Sequence, residues 1–483
     1  MAKLVAIGDS LTQGFQSGAI YRTDWSFPAM IVRSMGLTIP NNFPIPKFPG
    51  SGLPLNIEQA LRWMKTRLGS NIDLAEWSFQ FPLLLEQFMD GVEDLYERGS
   101  GSRPAAYGGF YHNLGVWGFR AVDSFMVDAE FCQQMIQRDE GWLEDDFLGL
   151  PAAPMYRTAL RVLNPRARQD RNKLTQIGNL KEIVKAEQSL ESLIIWLGSN
   201  DCLGTVLDLE IKDMEADVKA DLNTNNPQKR REYNLTHRDV FKRDFERLVE
   251  EIKNIIPNNT KVFVGTIPHI TIPPVTQGIL PFDGKYFAYY GRFFADASNF
   301  SPFLQKHLTN QDAKKIDERI DNFNATIRNI AQAQGNNWHI VDIGQVLDSL
   351  AIKRNNLTDG PERALRDYYA RKGISDHPLL QLSPIPNILR LELRNGQRFS
   401  GGLFSLDCVH PSTIGYGIVA EFFLEEMQKA GVQDADPRRL NWREIIAQDS
   451  LLQTPPQLWE SVLKAAEQNA TFWDVIFRVF SVG

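Results

Sequence analysis

Lys3-Leu4-Val5-Ala6-Ile7-Gly8-Asp9-Ser10-Leu11-Thr12-Gln13-Gly14 begins as a short apolar run, stops at a glycine and turns through small polar residues. A run that is continuous rather than alternating, and that ends in Gly, Asp or Asn, reads as a strand buried on both faces. Ligands of open parallel sheets sit outside the carboxyl ends of the strands, which is where Ser10 falls. A serine on such a turn exposes its hydroxyl and offers its own backbone N–H. Two other readings of the segment stand beside this one. Asp9 or Ser10 serves only as a helix cap, or Ser10, Thr12 and Gly14 cradle a phosphate.

Four more runs have the same character: about 110–116, Ser192 to Leu197, Lys261 to Thr266 and Trp338 to Ile343. Helical patterns lie between or after them. Phe27 to Met35 is short, and Asp239 to Ile255 is long and amphipathic. Ala313 to Gln334 carries Ile316, Ile320, Phe323, Ile327 and Ile330 at helical spacing. Thr413 to Ala430 follows the last strand, with Ser412 or Thr413 as its N-cap. Strands alternating with helices predict an α/β fold with a central parallel five-stranded sheet covered on both faces.

The connections are long for such a core. They predict insertions at about 38–109, 125–190, 204–235, 271–310 and 387–404 in one domain spanning 1–430, followed by a helical C-terminal extension, 431–483. The 387–404 insertion reads as a hairpin turning at Asn395-Gly396. No internal repeat is found. The formal net charge of −7 argues against nucleic acid as a main partner, and Lys229-Arg230-Arg231 reads as a solvated loop. Three cysteines in 483 residues exclude a disulfide framework and fit a reducing compartment. Cys202 and Cys408 flank candidate loops and read as small buried residues. No apolar run approaches a membrane span, and the first residues lack a signal-peptide pattern. The expectation is a cytoplasmic protein in the form given, with a trimmed secreted form equally consistent.

At the far end of the chain stands Asp407-Cys408-Val409-His410-Pro411. A carboxylate three residues before a histidine sits in one turn and fixes the ring tautomer. The pair follows the completed sheet and precedes a capped helix, which returns it to the sheet edge of Ser10. Two further segments supply donors for an oxyanion. Asn113-Leu114-Gly115-Val116-Trp117-Gly118 follows the second run, with a Gly118 N–H that no side chain blocks. Gly198-Ser199-Asn200-Asp201 follows the third run and offers the Asn200 amide. Asp9 and Asp201 read as shaping their loops. Asp376-His377-Pro378 lacks the dyad spacing and reads as loop.

Taken together and in this order, the four segments resemble the SGNH (GDSL) hydrolase family, with its named residues on Ser10, Gly118, Asn200 and His410 and its acid on Asp407. The resemblance implies a flavodoxin-like three-layer α/β/α sandwich and metal-free, cofactor-free hydrolysis of carboxylic esters through an acyl-enzyme on Ser10. Trp117, Phe119-Arg120 and Cys408 depart from the family pattern, which carries smaller or polar residues around the glycine and often glycine after the acid. The expected substrate is a small or lipid-like ester, with a carbohydrate acetate as the alternative within the family. Nine aromatics lie from Phe282 to Phe303, and they read either as a lid over Ser10 or as the core of an inserted subdomain. Two other functional classes remain at this stage: a flavodoxin-like phosphate or flavin-binding module, and a catalytically silent binding protein on a hydrolase scaffold.

Overall fold

The computed structural model describes residues 2–68, 74–140, 150–214, 226–295, 297–298, 300–351, 360 and 362–468. Parts of the expected insertions (69–73, 141–149, 215–225) and the tail residues 469–483 lie outside the described residues. Four strands form the central sheet: β1 (Ala2–Gly8), β2 (Leu190–Trp196), β3 (Lys261–Gly265) and β4 (Trp338–Val341). They are hydrogen-bonded in chain order and all parallel.

Alternation along each strand feeds two cores. Val5, Ile7, Leu193, Ile195, Val262 and Val264 enter one, while Leu4, Ala6, Ile194, Trp196, Phe263 and Val341 enter the other. Because both faces are buried, no polar alternation is needed, which explains the continuous apolar runs. Among the described helices, the cover includes α1 (Phe27–Ser34), α2 (Gln176–Glu187), α3 (Arg238–Lys253), α4 (Asn310–Ala333), α5 (Ile343–Leu350), α6 (Glu362–Arg371) and α7 (Thr413–Lys429). The buried faces of α2, α3 and α4 belong to the first core. Those of α1, α5, α6 and α7 belong to the second. Phe241 of α3 stacks on Phe323 of α4 at 4.0 Å, and Phe27 of α1 stacks on Phe423 of α7 at 4.8 Å.

The fifth expected strand does not form as one. The 110–116 segment runs beside β1, giving Ala6 N–H to His112 O at 2.8 Å and Leu114 N–H to Ala6 O at 2.8 Å, but it makes only an isolated bridge at Asn113. The Asn113 carboxamide is the reason. Its oxygen accepts the Gly115 N–H at 3.0 Å and its nitrogen donates to Thr12 O at 2.9 Å, which turns the chain out of the ladder. The last strand also ends early. Asp342 caps α5 there, accepting from Gln345 N, where a strand to Ile343 was expected.

The insertions pack onto this frame. Glu392–Arg394 and Gln397–Ser400 form the expected hairpin, with Asn395 and Gly396 at φ of 54° and 74°. Both central residues of a two-residue turn are thus left-handed, as a type I′ turn requires. The aromatic segment is a second hairpin, Thr276–Phe282 with Phe287–Arg292, whose Tyr286, Tyr290, Phe293 and Phe294 are buried in the first core. Of the described tail, Trp459 donates to Leu391 O at 2.9 Å, and Asp449 accepts the Ile414 N–H at 2.9 Å. Phe294 is 2% exposed, so Phe294→Ala is expected to lower unfolding stability by about 3–5 kcal/mol, read from denaturant titration. A loss under 1 kcal/mol would show that the hairpin is not core.

Candidate active site

β1 ends at Gly8, and Asp9 then caps a single helical turn, Ser10–Gln13, by accepting the Leu11 N–H at 3.0 Å. Gly14 closes the turn at φ 91°. Ser10 is the first residue of that turn, so its N–H has no intrahelical acceptor and stays available.

The following residues, 15–18, bind the far end of the chain. Ser17 N–H donates to Ser405 Oγ at 2.8 Å, Leu406 N–H to Ser17 Oγ at 3.3 Å and Gly18 N–H to Asp407 Oδ2 at 2.9 Å. The Tyr416 hydroxyl donates to Phe15 O at 2.8 Å. The loop is closed on itself by Ser405 N–H to His410 O at 2.8 Å and is anchored to α7 by Ser412, which accepts from Gly415 N.

This docking brings three of the sequence-derived residues into line. His410 Nε2 lies 2.9 Å from Ser10 Oγ, and His410 Nδ1 lies 3.1 Å from Asp407 Oδ2. The other oxygen, Asp407 Oδ1, accepts the Val409 and His410 N–H groups at 2.9 and 2.8 Å. The Asp-x-x-His spacing is therefore one turn closed on the carboxylate. Burial alone would raise the Asp407 pKa, but the adjacent His410 ring and the donated hydrogen bonds outweigh it and hold the group below its usual range. An ionised Asp407 places the ring proton on Nδ1 and leaves Nε2 to accept from the Ser10 hydroxyl. Phe15 flanks the imidazole at 4.5 Å between ring centroids.

Gly118 and Asn200 come to the same place. A small cavity of about 30 Å³ is lined by Ser10, Gly118, Asn200 and His410, with Phe15 and Trp117 as apolar walls. Asn200 donates through Nδ2 to Phe119 O at 2.9 Å, which ties the two loops together and orients the amide. Gly118 sits at φ 76°, where a side chain is disfavoured. Gly115 serves close approach instead: a Cβ there would lie 2.6 Å from Gln13 N, so only glycine lets this loop pack against the Ser10 turn.

Sequence reasoning missed what stands behind these loops. Arg230 and Arg231 are not a solvated loop. Arg230 is 2% exposed and pairs with Asp244 at 2.6 Å. Arg231 pairs with Asp123 at 2.7 Å and donates to Gly118 O at 3.3 Å. Buried Arg120 donates to Arg230 O and Tyr233 O at 2.8 and 2.7 Å. Asp201 accepts from Thr236 Oγ1 at 2.8 Å and from Ala121 N at 3.3 Å, the loop-shaping part expected of it. His377 is buried against Tyr369 at 3.8 Å and caps the turn at Pro378–Gln381, remote from Ser10 in role. All three cysteines are buried, with Cys408 at φ 60°.

A second, larger cavity of about 120 Å³ also opens on Ser10 and His410. Its walls come from α5, from the Pro268–Pro273 loop and from α7, and none of the described residues of 282–303 lines it. The lid reading of the aromatic segment is thereby replaced by the core reading. The wall helix was legible in principle, since Ile343, Val346, Leu347 and Leu350 stand at helical spacing.

Asp9 carries a further consequence. Burial raises its pKa from 3.8 to about 7, and Oδ2 has no hydrogen-bond partner among the described residues. Between those values the native state keeps a proton that the unfolded chain has lost, so this group makes stability fall as pH rises from about 4 to 7 and level off above. Asp9→Asn preserves the cap and removes that slope. Its stability relative to wild type is expected to grow by on the order of 3 kcal/mol between pH 4 and 7.5, measured by denaturant titration. A difference that stays constant across this range would mean that Asp9 is ionised in the native protein.

No curated protein and no solved structure matches the chain. The family profile described as GDSL-like Lipase/Acylhydrolase matches residues 143–423, a span that contains Asn200, Asp407 and His410 and begins after Ser10 and Gly118. With more than half of its length matched, the chain belongs to the GDSL-like lipase/acylhydrolase family, which makes it a hydrolase of ester bonds.

Proposed function

We propose that the chain hydrolyses carboxylic esters through an acyl-enzyme on Ser10. The observation that carries this reading is the unbroken line Ser10 Oγ, His410 Nε2, His410 Nδ1, Asp407 Oδ2, with contacts of 2.9 and 3.1 Å. His410 takes the hydroxyl proton as Ser10 Oγ attacks the ester carbonyl carbon. The carbonyl oxygen becomes the oxyanion and receives the N–H of Ser10, the N–H of Gly118 and the Asn200 amide. Collapse of the tetrahedral species breaks the bond to the alkoxy oxygen, and His410 gives its proton to the departing alcohol. Water then enters, loses a proton to His410 and attacks the acyl carbon. The acid leaves and Ser10 regains its proton. Asp407 stays ionised throughout and stabilises the imidazolium.

The flavodoxin-like arrangement belongs to the same reading: the 110–116 segment takes the outer place beside β1, and the two helix layers complete the sandwich. A phosphate or flavin site at Gly8–Gly14 is disfavoured, because the Ser10 hydroxyl faces an imidazole and buried Asp9 occupies the turn.

Ser10→Ala is expected to abolish hydrolysis of p-nitrophenyl butyrate while leaving the melting temperature within a few degrees of wild type. Turnover persisting in the folded variant would remove Ser10 from the reaction. Asn200→Ala is expected to lower kcat by roughly 100- to 1,000-fold with little change in KM. A sharp rise in KM at constant kcat would make the amide a ground-state contact instead. The same substitution also frees Phe119 O, so its melting temperature is read alongside.

A further inference from the structure

We infer that the larger cavity is the acyl subsite and that it selects an aliphatic acyl chain, an inference that rests on the acyl-enzyme reading of Ser10. The two cavities share Ser10, Leu203, Val409 and His410 and so meet at the reacting atoms. They differ in chemistry. The smaller one holds Gly118 and Asn200, toward which the carbonyl oxygen must point. The larger is walled by Val346, Leu347 and Leu350 of α5, Ile270 of the 268–273 loop, Phe404, and Val419 of α7.

Among the described residues that line the larger cavity, Ser199 carries the one hydroxyl besides that of Ser10, and the remaining walls beyond His410 are apolar or aromatic. A sugar ring placed there would leave its hydroxyls without partners, each at a cost that a polar site avoids. An alkyl chain asks for no partners and gains from every methylene removed from water. The acyl arm is the one that fits, because it stays bound through both half-reactions. The alcohol has to leave and water has to replace it beside His410, and a dry, walled cavity suits the group that remains. The cavity is close in size to the roughly 150 Å³ apolar cavities that hold a benzene ring, which corresponds to an acyl chain of about four to eight carbons.

The walls are tied together before any substrate arrives. His269, on the 268–273 loop, has Nδ1 2.8 Å from Asp348 on α5 and Nε2 3.1 Å from Asp321 on α4. The loop carrying Ile270 and the helix carrying Leu347 are thereby held in one arrangement. The subsite is preformed and does not need to be created by closure.

The test uses the full chain and two alkylphosphonofluoridates, with one-carbon and eight-carbon alkyl groups on phosphorus. Ser10 Oγ bonds to phosphorus, fluoride leaves and the hydroxyl proton passes to His410, so intact mass reports the adduct and its rate. Wild type is expected to react faster with the eight-carbon probe. In p-nitrophenyl esters, kcat/KM should rise about fourfold per methylene, the equivalent of ~0.8 kcal/mol, until the cavity is full. Leu347→Trp fills the cavity from α5, and Val346→Phe is the second variant should the first fail to fold, as judged by melting temperature. Either is expected to cut the eight-to-one rate ratio, and the hexanoate-to-acetate ratio of kcat/KM, by tenfold or more. Ratios unchanged in a folded variant would overturn the subsite. So would a loss confined to alkyl acetates of graded alcohol length, which would assign the cavity to the alcohol. Failure of the one-carbon probe to modify Ser10 in wild type would instead overturn the acyl-enzyme reading, a result distinguishable from either of these.

Discussion

The grip of residues 15–18 on residues 405–416 is the constraint on which the site depends. Ser10 and His410 are 400 positions apart in sequence, and a 2.9 Å contact between them needs the two loops docked to within a few tenths of an ångström. That docking is done by backbone groups and short side chains: Ser17 with Ser405 and Leu406, Gly18 with Asp407, Tyr416 with Phe15 O. Backbone donors have little conformational freedom left to lose once β1 and α7 are in place, so the arrangement is fixed by the fold rather than by long flexible chains. Asp407 shows the economy of this design. One oxygen closes its own turn and the other both holds the imidazole and accepts from the Ser10 side of the molecule.

On the other side of Ser10, position is set by buried charge. Arg120, Arg230 and Arg231 are surrounded by Asp123, Asp201 and Asp244, and they bind the backbone oxygens of Gly118, Arg230 and Tyr233. Ions in such a place gain little net stability over apolar packing, because desolvation offsets their attraction. Their use here is directional. A guanidinium planted on Gly118 O fixes the peptide that follows Gly118, and Asn200 fixes the next one through Phe119 O. Arg120, which departs from the family pattern at sequence level, is therefore part of the scaffold behind Gly118 and Asn200.

How far the sequence could be read follows from the range of the forces involved. Strands β1 to β3, the long helices, the Ser412 cap and the Asn395-Gly396 turn depend on periodicity and local chemistry, and they were legible. So was the convergence of Ser10, Gly118, Asn200, Asp407 and His410, since strand ends of a parallel sheet share one edge. The 110–116 segment looked like a strand because its residues are apolar, and only the Asn113 side chain, bonded to Thr12 across the fold, shows why its ladder stops. Arg230 and Arg231 looked solvated because their carboxylate partners, Asp244 and Asp123, lie 14 and 108 positions away. The aromatic run was ambiguous for a different reason. Tyr286, Tyr290, Phe293 and Phe294 would serve equally as a lid or as a core, and tertiary packing decides between them.

The apolar cavity and the polar line beside it reinforce one another. Leu347, Leu350, Ile270 and Val419 put apolar surface on one side of the cavity that His410 lines, and Phe15 covers the ring from another. In so poor a dielectric the Ser10–His410 and His410–Asp407 contacts are electrostatically stronger than they would be in water. Burial would likewise raise the pKa of Asp407 if it stood alone, as it raises to about 7 that of Asp9, whose second oxygen has no partner among the described residues. Three backbone N–H groups and the imidazole make the difference between these two buried aspartates. One is held ionised and orients a histidine, while the other, its pKa raised by burial, caps the turn that presents Ser10.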